Sequence, residues 1–274
     1  MQKGALSKST IYLLLSIGSI LMLLPFVWMI SSSLKTSNEV MTMPPVWIPS
    51  EFQWGNYIKA MEVAPFGRYF VNSVIVTLLS TIGELLTTIL AAYAFSRINF
   101  YGKGIVFAVL LGTMMVPGEV LLIPNFVTVS NLGWIDSYEA LIIPWVASIF
   151  SIFLLRQYFF SIPTELSYAA KVDGCSDFKF LWYVMVPLAK PALITIALLK
   201  VIGSWNAFLW PLIVTNSQEL RTLPVGLSAF TTEAGVKYEL LMAASTMVIL
   251  PMLILFFIMQ KYIISGVART GLKG

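Results

Sequence analysis

The chain has 274 residues, 58% of them hydrophobic and 11% charged, with a formal net charge of +4. Soluble domains carry about one quarter charged residues, so a chain this poor in charge cannot cover a water-facing surface and reads as an integral membrane protein. It has no histidine and one cysteine, Cys175, which excludes an internal disulfide, a Cys/His metal site and a nucleophile–His–acid triad. The positive charge is informative through its positions along the chain and is no sign of a nucleic-acid partner.

Lys3 and Lys8 precede Ile11–Ile30, an uncharged apolar run. It is longer than a signal-peptide core of about 7–15 residues and no A-x-A-like site closes it, so it is expected as span 1. Ser31–Arg68 is polar and holds Pro44, Pro45, Trp47 and Trp54, a composition suited to the membrane–water interface. Span 2 is expected over Tyr69–Phe95, with Glu84 as its one charge, and a basic turn with Arg97 and Lys103 follows. Span 3 is expected over Gly104–Ile123, with Pro117, Gly118 and Glu119 near its far end, and span 4 over Ala140–Leu155. A polar segment, Ser161–Pro191, leads to span 5 at Ala192–Val214, which contains Lys200. A loop, Thr215–Glu239, leads to span 6 at Leu240–Met259, again uncharged. With both termini on one side, that side carries eleven Lys and Arg residues against five, and the richer side is cytoplasmic. The expectation is an all-α polytopic protein, one membrane domain over residues 1–274, with six spans and residues 161–191 at the cytoplasmic face.

That polar segment reads as two short helices. Pro163 suits a first helical position, where its missing N–H costs nothing. Leu166, Ala169 and Ala170 then share one face. Gly174 can close the helix in a left-handed conformation, and Ser176 or Asp177 can cap a second helix. In the second helix Phe178, Leu181, Trp182 and Met185 form an apolar stripe, Pro187 is expected to stop it, and Pro191 shapes the entry to span 5. Periodicity alone leaves open whether this hairpin packs under its own bundle or meets a partner; small residues at Ala169, Ala170 and Gly174 leave room for close approach.

Ala169-Ala170, then Gly174, then Val184-x-x-Pro187 resembles the "EAA" loop of bacterial ABC importer membrane subunits. The fuller run AAKVDGCSDFKFLWYVMVPLAKPAL is similar to the form in the carbohydrate-uptake, maltose-transporter-like permeases. The similarity continues in YAFSR (Tyr93–Arg97), MMVPGEVLLIP (Met114–Pro124), IFLLRQYF (Ile152–Phe159), GSWNAFLWPL (Gly203–Leu212), RTLPVGL (Arg221–Leu227), LLMAAS (Leu240–Ser245) and the terminal KYIISGVARTGLKG. The resemblance implies a permease subunit of the bacterial cytoplasmic (inner) membrane that imports a sugar by alternating access. Its partners would be a second membrane subunit, a cytoplasmic ATPase dimer holding ATP and Mg, an extracytoplasmic binding protein, and membrane lipid. The hairpin would be the ATPase-coupling region, with Ala169, Ala170, Asp173, Gly174 and Pro187 matching the pattern. Tyr168 stands where the family usually has Glu, and Glu165 lies one turn earlier. Similar permeases carry glycerol 3-phosphate, the alternative substrate.

Inside the spans, Glu84 and Lys200 are costly to expose to lipid, about 2.5–3.5 kcal/mol for a charge at a helix centre. They lie at comparable depths, about 16 Å and 12 Å from the cytoplasmic ends at 1.5 Å per residue. They are expected to face a polar cavity, to pair with each other, or to pair with the second subunit. Trp205, Asn206 and Trp210 are substrate-path candidates, because indole faces pack on sugar rings and an amide serves hydroxyls as donor and acceptor; ordinary packing between spans is the competing reading. The chain lacks the G-x-x-x-x-G-K-[ST] phosphate loop, so no cofactor and no enzymatic activity are expected of it. A secondary transporter would need intramembrane ion sites, for which only Glu84 is available. A membrane hydrolase without histidine would be left with Ser–Lys or carboxylate schemes.

Overall fold

The computed structural model describes residues 3–232 and 235–270. Of the cations used to orient the chain, Lys273 and the side chains of Lys3, Lys261 and Arg269 lie outside the described residues. Four described helices are long and apolar enough to cross a membrane: Lys8–Ser33, Phe66–Arg97, Tyr138–Phe160 and Tyr238–Ile258. Two bent helix pairs, Lys103–Thr113 with Gly118–Asn131 and Asp177–Leu188 with Lys190–Trp205, bring the number to six if each pair is one span. Among the described residues the regular structure is helical apart from a two-residue antiparallel ladder, β1 (Thr231–Thr232) with β2 (Gly235–Val236).

The chain forms two compact units, Met1–Gly67 with Gly226–Leu253, and Arg68–Val225 with Ile254–Gly274. In the first, α1 (Lys3–Ser33) is followed by the short α2 (Ser37–Val40) and α3 (Gly55–Val63). The connection is tied by Asn56, whose amide donates to the carbonyls of Ser33 and Lys35 at 3.0 and 2.8 Å. Lys35 is buried with its ammonium 3.9 Å from the centroid of the Trp28 ring. Burial pushes its pKa down and the neighbouring Glu39 carboxylate pulls it back up.

The second unit carries α4 (Phe66–Arg97), α5 (Lys103–Thr113), α6 (Leu122–Asn131), α7 (Tyr138–Ile142), α8 (Ile149–Phe160) and α9 (Glu165–Val172). It continues through α10 (Asp177–Phe180), α11 (Val186–Leu188), α12 (Lys190–Trp205), α13 (Leu209–Val214) and α14 (Leu223–Gly226), and α15 (Tyr238–Thr270) is the last described helix. The stretches expected as spans 3 and 5 are each broken. The first turns by 91° after Thr113, where Pro117 lacks an N–H and Gly118 opens a 3₁₀ turn. In the second, α12 ends at Trp205 and helix resumes only at Leu209. Pro211 cannot donate to Ala207, and the Asn206 side-chain amide joins its own backbone N–H on the Ile202 carbonyl, at 2.9 and 3.2 Å. Pro144 similarly inserts a 3₁₀ turn, Ile143–Trp145, between α7 and α8.

Candidate functional site

Two features of the second unit hold the candidate residues: the α9–α11 hairpin and a cavity between helices. Thr164 supplies the first helical carbonyl of α9, accepting from Ser167 and Tyr168 at 3.0 and 3.2 Å. Pro163 therefore precedes the helix and does not occupy its first position. The helix ends in a complete Schellman motif: Gly174 has φ +71°, its N–H donates to the Lys171 carbonyl at 3.1 Å, and the Cys175 N–H to that of Ala170 at 2.8 Å. Ser176 then caps α10, its hydroxyl accepting from the Lys179 N–H.

Pro187 does not stop the second helix. Leu181–Met185 forms a π turn, in which the Val186 N–H donates five residues back to Leu181, and helix continues through Pro187 to Leu188. The widened turn accommodates a proline that cannot make the ordinary bond to Tyr183. The π turn also changes which side chains point inward. Phe180, Leu181 and Met185 are buried in a core with Ile89, Tyr93, Leu155, Phe159 and Ile196, whereas Phe178 is 66% exposed. The expected stripe is thus split, with Trp182 half-buried at its edge.

Polar bonds tie the hairpin to the spans. Tyr93 donates to Asp177 at 3.3 Å and Tyr158 to the Leu188 carbonyl at 3.1 Å, while Arg97 holds the end of α8 just before the hairpin by donating to the Phe159 and Ile162 carbonyls. The outer face differs: Tyr168 is 69%, Val172 87% and Tyr183 79% exposed. Glu165, Leu166, Ala169, Asp173 and Pro187 are also exposed, while Ala170 packs against the core.

The cavity, about 560 Å³, is lined from α4, α8, α12, α13 and the bend before α6, a volume within the range of small-molecule sites. Glu84 and Lys200 meet on its wall, with Nζ 2.9 Å from Oε2 and side chains 6% and 13% exposed. Ser151 donates to the other carboxylate oxygen at 2.7 Å, and Lys200 donates to the Trp145 carbonyl at 2.6 Å. That carbonyl is free because helix is interrupted between Trp145 and Ile149. Next to Glu84, Gly83 lets Val146 approach so closely that a Cβ would lie 2.7 Å from Val146 Cγ1.

Trp210 also lines the cavity, its indole donating to the Ala140 carbonyl at 2.9 Å and its ring edge-on to Trp145 at 5.9 Å. Trp205 and Asn206 lie outside this lining: Trp205 is buried with its ring 5.9 Å from Phe70, and Asn206 bonds back to its own helix. Sequence reasoning missed Trp145, Ser148 and Ser151. Ser148 and Ser151, three residues apart, are the only hydroxyl or amide side chains between Glu139 and Arg156, a spacing that marks one polar stripe on an apolar helix.

A family profile described as "Binding-protein-dependent transport system inner membrane component" matches residues 84–269. The chain belongs to that family. Its members are transport components of the inner membrane, and the several apolar helices of this member make it a multi-pass one. It is 36% identical over 93% of its length to the Arabinooligosaccharides transport system permease protein AraQ of Bacillus subtilis (strain 168), covering 92% of that relative. It is likewise 36% identical to the Trehalose/maltose transport system permease protein MalG of Thermococcus litoralis, covering 96% of this chain and 97% of the relative. Its fold matches a chain of a bacterial ABC transporter involved in the import of the acidic polysaccharide alginate, with TM-score 0.85, 26% identity, and 96% and 98% of the two chains covered.

Proposed function

We propose that this chain is the membrane-spanning permease subunit of an ATP-driven, binding-protein-dependent sugar importer. The observation that carries this reading is the two-sided hairpin. One side is fixed among the spans by Phe180, Leu181 and Met185, and the other presents Leu166, Tyr168, Ala169, Val172, Phe178 and Tyr183 to the outside. An apolar patch that the chain itself leaves uncovered marks a protein contact. An element gripped outside and bolted inside transmits a partner's motion to the helices that wall the cavity.

The partner is a cytoplasmic ATPase dimer that holds ATP and Mg, and this chain supplies no nucleotide site. Ala169, Ala170, Asp173, Gly174 and Pro187 shape the docking turn, and exposed Glu165 takes the ionic role for which Tyr168 has no charge. Closure of the dimer would swing the hairpins, open the spans outward, and let the sugar pass from an extracytoplasmic binding protein into a cavity shared with a second membrane subunit. Both termini and the hairpin lie on the cytoplasmic side. Glu84, Lys200 and Trp210 belong to the substrate path, and Trp205 supports it by packing.

The test is reconstitution with the partner subunits in vesicles. ATP hydrolysis that rises when a sugar-loaded binding protein is added, and sugar uptake that needs all components, is the expected result. Uptake by this chain alone would overturn the reading and favour a secondary transporter.

A further inference from the structure

The cavity's electrostatics bear on which sugars it accepts. Among the described residues its ionisable lining groups are Glu84, Glu119 and Lys200. Lys200, the one cation of the three, is matched at contact distance by the Glu84 carboxylate and spends a further proton on the Trp145 carbonyl. The pair is therefore neutral toward the cavity. Glu119 sits at an exposed position of the lining, so the wall carries a net charge of one negative unit. The rest of the polar lining is hydroxyl, amide and indole, with Ser73, Ser148, Ser204, Asn125, Trp145 and Trp210 among it. These groups bond neutral hydroxyls and pack on sugar rings, but they bring no charge to offset an anion.

We propose that Glu84 sets the charge selectivity of this cavity. By neutralising Lys200 it leaves a wall that accepts uncharged sugars and disfavours uronates, sulfonates and phosphate esters. The proposal rests on the import reading and narrows it, placing glycerol 3-phosphate among the disfavoured substrates. The overall fold does not decide this, since the structurally similar importer takes an acidic polysaccharide; the pairing of Lys200 does.

Charged thiol reagents test it without knowledge of the substrate. Ser204 on the cavity wall is replaced by Cys in a Cys175→Ser chain, and the assembled complex is treated with a cationic or an anionic methanethiosulfonate. Modification of this chain is followed by mass, and each rate is normalised to that with a small thiol in solution. The cationic reagent is expected to react severalfold faster, because Glu119 leaves one uncompensated negative charge on the cavity wall. Glu84→Gln should unmask Lys200 and shift the ratio toward the anionic reagent by about tenfold; Glu84→Asp should keep the original preference. Equal rates in the parent, or a ratio untouched by Glu84→Gln, overturns the proposal. In the same vesicles, uptake of an acidic oligosaccharide in preference to its neutral counterpart would overturn the substrate class. Absence of any oligosaccharide uptake alongside the expected reagent ratios would dispose of the import reading while supporting the cavity charge.

Discussion

Substituting Gly174 by Ala, Asn and Asp separates two reasons for a glycine at the hairpin turn. Its φ of +71° is one that L side chains resist, yet a Cβ added there meets nothing within 4 Å. Inside this chain the penalty is then backbone strain alone. For alanine it is about 1–2 kcal/mol, offset by about 0.4–1 kcal/mol through the lower entropy of the unfolded chain. Asn and Asp tolerate the left-handed region better than Ala. A net cost near 1 kcal/mol changes an equilibrium by roughly fivefold, and the hairpin remains anchored by Phe180, Leu181 and Met185. If an ATPase surface closes on this turn, every Cβ is an intrusion at a tightly packed contact. All three variants should then lose uptake by about tenfold or more at unchanged membrane levels, and Asp, which adds a charge, should lose most. The assay is uptake of labelled sugar by cells, normalised to immunoblotted membrane protein. A ranking that follows left-handed tolerance, with Ala worst and Asn and Asp near wild type, would refute the docking argument and leave only a local backbone requirement.

Other predictions follow from the same geometry. Glu84→Gln and Lys200→Met should each destabilise the complex by about 3–5 kcal/mol, because each strands a buried partner; the double variant should lose clearly less than the sum, and additive losses in thermal unfolding would refute direct pairing. Gly83→Ala should cost about 1–3 kcal/mol by overpacking against Val146, and Val146→Ala should restore most of it; a lone Gly83→Ala with unchanged melting refutes the close approach. Asp136 stands outside the spans, where partial burial would raise its pKa but the Ser217 and Asn216 N–H groups and the Ser217 hydroxyl, at 2.9–3.0 Å, hold it below the ordinary value of 3.8. A depressed carboxylate pKa stabilises the fold above the unfolded value and loses that contribution as pH falls through the folded one. The melting advantage of wild type over Asp136→Asn should therefore be full above about pH 5 and shrink below 3.8; a difference that grows with acidification would contradict the sign.

Charge scarcity and run length were enough to determine a membrane protein and to locate most of its apolar segments, because the cost of charge in lipid acts on each stretch separately. The glycine turn at Gly174 and the cap at Ser176 were legible for a similar reason, since backbone strain and capping are local and depend on residues within one helical turn. Only the tertiary structure decided what depended on neighbours far along the chain. The π turn before Pro187 redirected the aromatic stripe, so that Phe178 faces out while Phe180 joins the core. Two matched depths suggested a Glu84–Lys200 pair, but the pair exists because a broken helix at Trp145 frees a carbonyl and Gly83 admits Val146 beside it. Trp205 and Trp210 looked equivalent in GSWNAFLWPL, and the break at Asn206 turned one onto the cavity and the other away. A sequence pattern gives the phase of a side chain around a regular helix, and each break resets that phase by an angle set by packing.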